Sequence, residues 1–519
     1  MKRLFVALSL GVFACPALAD VGTTLDFPTS DFFITQRIAE STIYDFANLK
    51  GCAYGGKPSE PMLPVKTVYI AIPASEEPAG VVAEIVSTQE YVVSNSIYPT
   101  QYPIAANGVE KEVIFALPNG VYAVNSEYPG TTAQCIHNGF MGGYRIATVS
   151  VHPVQYNPVA KKLTLATKLI ITLKTKPSSV SPTPVYRRTT FADGIYRKMA
   201  QSLVSNPAGL SAAFKADGAN KRNGSVLQPL KYTPLPSVES DEIPYIIITE
   251  HPLDTVFQRL ADYKTRKGLP AIVKTAGWIN ANYPGIDLPD KMRNFIRDCY
   301  SHWGTVYVLL GGGPEIVPCR YTRNFSKGYT ADAIELCVES IPCDLYYSDL
   351  DGTWNTDGDN YFGEGPVIIE VPPPPDPPII DTNDIVDMYP EVFVGRASVL
   401  TVAQAQTFVR KVMAYETNSL AASSDFSRHL AFWGGLMDYA RIIASIDSTT
   451  TPYDTTYKYI STPTDTTKKY IINQYLPSGF RPDTLFNRCD SLTGEITRNL
   501  NKQSALAAIN DSLYNIRDG

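Results

Sequence analysis

A chain of 519 residues with 44% hydrophobic and 18% charged residues is too long for one ordinary core and too apolar to stay disordered, so two or three folded domains are expected. The formal net charge of −6, with no basic stripe to neutralise phosphates, argues against a nucleic-acid partner. No run beyond the amino terminus approaches the roughly 20 apolar residues of a membrane helix, so no membrane span is expected.

The amino terminus carries Lys2 and Arg3, an apolar stretch from Leu4 to Ala14, and Ala17-Leu18-Ala19 before Asp20. This is the pattern of a secretory signal peptide over 1–19. A lipoprotein signal acylated at Cys15 is the alternative, and Phe13 is bulky for that motif. The eight cysteines less Cys15 leave an odd, scattered set without a CxxC pair. At least one thiol therefore stays free or pairs outside the chain, and a zinc site is not expected.

From 20 to 176 the pattern is all-β. Lys66–Pro73, Val81–Val86, Tyr144–Val151 and Lys162–Leu173 alternate or run apolar, separated by Gly, Pro and Asn, as in a sandwich. Residues 177–244 carry Ser, Pro, Asn and basic residues with little periodicity. They read as a linker with one short helix near Ala200 and two dibasic pairs, Arg187-Arg188 and Lys221-Arg222.

At Tyr245 the pattern changes to alternating strand and helix, which places 245–519 in an α/β class. Tyr245–Thr249 is an apolar strand, Leu253 to Tyr263 places its apolar residues on one helical face, and Gly268 ends that helix. Ala271–Val273 is the next strand. Asp287 caps a helix whose inner side is Met292, Phe295, Ile296 and Cys299. Val306–Leu310 then runs straight into three glycines, as expected of a central strand buried on both faces. Crossovers of this length force the strands parallel.

Cys319 to Tyr389 reads as irregular, with an acidic, aromatic run from Asp344 to Asp359, a Pro-rich insertion over 365–386 and the spacer Pro372–Pro378. Glu391–Val394 resumes as strand. Thr401 caps a helix whose inner face is Val402, Ala405, Phe408, Val409, Val412 and Met413. Leu430–Trp433 is a further buried strand, and Gln503–Leu513 is helical. The alternation leaves the sheet incomplete at the carboxyl end.

Several of these stretches together resemble the gingipain family of secreted cysteine peptidases: YIIIT from Tyr245, LADYKTRKG from Leu260, YVLLGGGPEIVP from Tyr307, DLYYSDLDGTWN from Asp344 and YPEVFVGR from Tyr389. The resemblance covers most of 245–435. KPSEPMLPVKTVYIAIP and VSVHPVQYNPVAKKL are similar to that family's propeptide, which makes 20–176 a sandwich-like prodomain. The resemblance implies a caspase-like α/β fold, protein or peptide substrates, an intramolecular prodomain that holds the zymogen inactive, and cleavage after basic residues, which points to the dibasic pairs.

A cysteine peptidase needs a thiolate, an imidazole and backbone donors for the oxyanion. The family takes its His and Cys from the ends of two consecutive strands, and no His follows His429 here. No catalytic residue is therefore carried over. The dyad is expected beyond residue 519, and a non-catalytic surface or adhesion protein retaining the fold is the alternative. His251 and Cys319 both follow strand ends and are a candidate pair, against the simpler account of Cys319 as a packed or disulfide-bonded thiol. Asp438 lies near the family's imidazole-orienting acid, or is an exposed turn residue.

Asp387, Tyr389 and Glu391 resemble family positions that bind calcium through two carboxylates and a tyrosine carbonyl, a hard-oxygen set suited to that ion. The family's further Asp is Gly313 here. Asp349, Asp351, Asp357 and Asp359 are either a second calcium set or a solvated acidic turn. They are not an EF-hand, since Thr356 stands where that loop needs Gly. Tyr346, Tyr347 and Trp354 are read as packing beneath the loop.

Overall fold

The computed structural model describes residues 20–39, 42–101, 115–178, 189–212, 242–330, 333–359, 361–363, 368–370, 379–380, 384, 386, 388–417, 428–434, 436–447, 454–489, 496–498 and 503. The stretch expected as a signal peptide, both dibasic pairs, the Pro372–Pro378 spacer, Asp387 and nearly all of the helix expected over 503–513 lie outside the described residues.

The alternating segments of the amino-terminal region form strands β1 (Asp20–Asp26), β2 (Phe32–Ala39), β3 (Thr42–Leu49), β4 (Ala53–Gly55), β5 (Leu63–Ile72), β6 (Glu76–Val92), β7 (Ala133–Met141), β8 (Tyr144–Val151), β9 (Val154–Asn157) and β10 (Lys162–Pro177). They pair antiparallel as β1-β10-β6, with β9 also on β10, and as β4-β5-β8-β7, with β2-β3 a separate hairpin. Period-two alternation sends Val68, Ile70 and Ile72 of β5 and Leu169, Ile171 and Leu173 of β10 into one core.

Strand β8 departs from one-sided burial, because every residue of it is buried. Ala147, Val149 and Val151 face the sandwich core, whereas Tyr144 and Ile146 face a second cluster. A sandwich strand covered on both faces has another body on its outside. That body begins in the expected linker. Helix α1 (Thr190–Leu203), capped by Thr189, and the short α2 (Gly209–Ala212) replace the brief helix expected near Ala200. Ala192, Tyr196 and Ala200 fall on the inner face of α1 at helical spacing and are buried.

The α/β region follows its expected order closely as far as the central strand: β11 (Tyr245–Thr249), α3 (Asp254–Arg266), β12 (Ala271–Thr275), α4 (Ala276–Asn282), α5 (Leu288–Trp303) and β13 (Tyr307–Gly311). Asp287 caps α5 by accepting the Asp290 N–H at 2.9 Å. The irregular stretch expected after Cys319 is corrected by a long antiparallel hairpin, β14 (Arg320–Thr330) with β15 (Ala333–Cys343). Its strands carry enough aromatic and β-branched residues (Tyr321, Thr322, Phe325, Ile334, Val338, Ile341) to sustain a ladder without a continuous apolar run.

Helix α6 (Leu345–Ser348), the short pair β16 (Ile368–Glu370) and β17 (Ile379–Ile380), β18 (Phe393–Ala397) and α7 (Val402–Glu416) follow. Strand β18 starts two residues later than expected. Thr401 and Gln404 form a reciprocal capping box at the start of α7. The sheet order β12-β11-β13-β18 is parallel throughout. Helices α3 and α7 cover one face, and α4, α5 and the Tyr346–Trp354 loop cover the other.

Beyond α7 lie β19 (His429–Gly434), β20 (Leu436–Asp447), β21 (Asp454–Pro463), α8 (Thr464–Tyr475), β22 (Arg481–Cys489) and β23 (Ile496–Arg498). Strand β19 was expected as a buried strand of the alternation. It pairs in parallel with β22 in a separate sheet, and its Ala431 is exposed. An apolar run specifies a strand but not its neighbour, which is why the pairing escaped the sequence.

Candidate functional site

The carboxyl ends of parallel strands are where open α/β sheets place their chemistry. At that rim the loop after β13 is tied by Arg396 of β18. Its guanidinium makes two 2.7 Å bonds to the Asp344 carboxylate and donates to the carbonyls of Gly312 (2.8 Å) and Val317 (2.5 Å). Burial alone would lower its pKa, but the Asp344 carboxylate holds it above the ordinary value. Gly313 admits no side chain without movement, since a Cβ there would sit 2.7 Å from Glu315 Oε2 and 2.8 Å from Leu400.

A cleft of about 550 Å³ opens beside this rim, lined by Ile286, Asp287, Cys319, Arg320, Tyr321 and Phe362 among others. Its wall is an ion pair, with Arg320 Nη1 and Nη2 at 2.6 and 2.8 Å from the Asp287 oxygens, sandwiched by the Phe362 and Tyr346 rings. The candidate pair of His251 and Cys319 is not assembled. His251 is 75% exposed with Nδ1 3.3 Å from Asp254, Cys319 is buried in the cleft wall, and no hydrogen bond joins them.

The amino ends of β13 and β18 are built differently. There Asp349, Asp351 and Glu391 bring carboxylate oxygens within 4.8 Å of one another, so one residue of the first expected calcium set and two of the second enter a single cluster. Asp349 is fully buried; its oxygens accept from the Gly352 N–H at 2.7 Å and the Trp354 indole N–H at 2.8 Å. Glu391, 2% exposed, accepts the Leu350 N–H at 2.8 Å. Arg293 of α5 supplies the counter-charge. Its Nη2 lies 3.6 Å from Asp349 Oδ1, and the guanidinium also donates to the carbonyls of Asp349 and Gly352. Burial pushes the Arg293 pKa down, with Arg297 adding to the effect and Asp349 opposing it.

Of the residues singled out beforehand, Glu391, Asp349 and Asp351 come together, and Tyr389 lies buried two residues from Glu391. Asp387 lies outside the described residues. Asp357 and Asp359 are not part of the cluster; Asp359 lines the cleft instead. Asp438 falls in β20, its side chain outside the described residues. Tyr346, Tyr347 and Trp354 pack beneath the loop as expected. Sequence reading missed Arg293 and Arg396, because a lone Arg within an amphipathic helix or strand looks like solvated charge until its partners are known.

A family model described as Peptidase family C25 matches residues 238–514, and one described as Propeptide_C25 matches 29–193. The chain belongs to peptidase family C25. Among curated relatives, Gingipain R1 of Porphyromonas gingivalis is 24% identical over 265 residues, covering 50% of this chain and 23% of that protein. Gingipain R2 of the same organism (strain ATCC BAA-308 / W83) is 22% identical over 266 residues, covering 50% of this chain and 32% of that protein. The chain thus spans a third or less of the length of these relatives. A solved complex of Porphyromonas gingivalis RgpB pro- and mature domains is similar at TM-score 0.30 and 16% identity, over 36% of this chain and 93% of that one. A structure of gingipain K from Porphyromonas gingivalis, concerned with zymogenic latency, is similar at TM-score 0.28 and 21% identity, over 31% and 88%. The C25 propeptide match falls on the sandwich and the peptidase match on the parallel sheet. Among the described residues no helix is long and apolar enough to cross a membrane.

Proposed function

We propose that this C25 chain is the precursor of a secreted, gingipain-like cysteine endopeptidase. Its caspase-like sheet would present the reacting centre at the carboxyl rim, and its His/Cys dyad would lie on polypeptide beyond residue 519. The observation that carries this reading is the parallel sheet β12-β11-β13-β18, which falls inside the region matched by the peptidase family while the propeptide-matched sandwich packs against it. Hydrolysis of a peptide bond would proceed through a thioacyl-enzyme. The residues present here supply the frame, with Arg396 fixing the loop after β13 and the Arg320–Asp287 pair forming a wall of the rim cleft.

The assay is peptidase activity of two proteins. The chain 20–519 is expected to turn over no member of a broad fluorogenic peptide library. A product extended by the downstream sequence is expected to do so, and to lose activity when its added Cys is changed to Ala. Turnover by 20–519 that disappears in Cys319→Ala, or a downstream sequence lacking a His-Gly and a Cys, defeats the reading.

We also propose a structural calcium ion at Asp349, Asp351 and Glu391. The donor set fits: three carboxylates with clustered oxygens suit a hard cation. Terbium luminescence sensitised by Trp354 and competed by calcium is expected in the intact chain and lost in Asp351→Asn with Glu391→Gln; an unchanged signal in that variant rejects the site.

A further inference from the structure

The amino-terminal domain and α1 do not meet the parallel sheet at its chemical rim in the cluster that joins them. They grip it at the amino ends of β13 and β18, where Phe191 of α1 meets the Tyr307 ring at 6.2 Å and the segment Tyr389–Phe393 makes the polar contacts. Thr148 of β8 bonds the Tyr389 hydroxyl at 2.6 Å, and His137 stacks on the Tyr389 ring at 5.8 Å. Tyr196 of α1 donates its hydroxyl to the Glu391 carbonyl, and its ring stacks on Phe393 at 5.6 Å and 8°. The Tyr196 ring in turn lies on the turn between β7 and β8. Gly142 has φ +52 there, and a Cβ on it would come within 2.1 Å of the ring.

The same segment faces the other way with the Glu391 carboxylate, which holds the Leu350 N–H and lies against Asp349 and Asp351. The Glu391 N–H also bonds the Ser348 carbonyl at 2.9 Å, the residue before Asp349. Arg145, buried on β8, feels the Asp351 charge across the interface: burial lowers its pKa, while Glu77 and Asp351 oppose that shift. One residue thus has its carbonyl held by the clamp helix and its carboxylate held in the cluster.

We propose that docking of the amino-terminal domain and assembly of the carboxylate cluster form one cooperative unit transmitted through Glu391, so that undocking dismantles the cluster. This holds whether or not the chain acts as a peptidase, since it concerns only its own side chains. Coupling of this kind is reciprocal: whatever loosens the cluster loosens the docking by the same factor.

The test is amide hydrogen exchange on the full chain, read at Leu350 and Gly352, whose N–H groups are held by Glu391 and Asp349. Tyr196→Phe keeps both ring contacts and removes only the hydroxyl. It is expected to speed exchange at both amides about tenfold, with Thr148→Val giving a smaller increase and β10 amides unchanged. In the reverse direction, Glu391→Ala is expected to speed exchange along α1. The proposal is overturned if Tyr196→Phe releases 389–393 while Leu350 and Gly352 keep their wild-type rates. It is equally overturned if Glu391→Ala leaves α1 unaffected.

Discussion

The two ends of the parallel sheet solve opposite problems. The amino end is a packed joint, with Tyr389, Phe393, Tyr196 and Tyr144 set across two domains and a charge cluster beneath them in which Asp349 and Glu391 are buried and Asp351 half-buried. The carboxyl end is open, with a cleft, an exposed His251 and a loop tied by Arg396, by Tyr347 at the Pro318 carbonyl and by the Gly313 N–H at the Val399 carbonyl. Burial makes charges at the closed end costly unless paired, whereas at the open end solvent shares the work. The propeptide-matched domain therefore contributes to stability at one end and leaves the other end's geometry to a few hydrogen bonds.

This contrast is sharpest at Arg293. Replacing it with Met leaves Asp349 buried without its counter-charge and two carbonyls without donors, so a loss of about 3–5 kcal/mol is expected in urea unfolding. Arg396→Leu removes charge-assisted bonds that are partly solvated and is expected to cost less, about 2–3 kcal/mol, with increased protease sensitivity at 312–317. An Arg396 variant as costly as the Arg293 variant breaks the comparison.

Lys274, near the carboxyl end of β12, tests the opposite sign. Its amine sits 3.5 Å over the Trp278 ring, and burial pushes its pKa down to about 8 from an ordinary 10.5, Cys299 opposing slightly. Between those values the unfolded chain binds more protons, so stability rises with pH from about 8 to 10.5 and is flat below. Lys274→Met is expected to gain about 1–2 kcal/mol at pH 7, after allowing for residual hydration, and to abolish the rise. The smallest effect belongs to His251→Ala, within about 0.5 kcal/mol, since the side chain is largely solvated.

Much of this layout was legible in the residues. Tyr245–Thr249 and the run into Gly311 declare strands because they are short, rich in β-formers and closed by turn residues. Asp287 and Thr401 declare helix starts through local hydrogen bonds that tertiary context does not alter. The cluster was half legible: the acidic run and Glu391 stood out separately, but some 40 positions divide Asp351 from Glu391, and only the fold folds that distance away. The clamp role of α1 was hidden because the helical spacing of Ala192, Tyr196 and Ala200 marks a buried face without naming the second domain it touches. The β14–β15 hairpin was missed because neither strand carries a continuous apolar run to mark it.

The bond between Thr148 and Tyr389 spans 241 positions, whereas the strand pairings of the sandwich close within residues 20–177. As the chain emerges during synthesis, the sandwich has its partners long before Tyr389 exists. The joint then forms on a domain already set, and its loop-closure cost grows only logarithmically with that separation. A chain arrested before Tyr389 would cover Tyr144 and Ile146 of β8 with α1 and α2, leaving part of a sticky face for the carboxyl-terminal neighbour to hide.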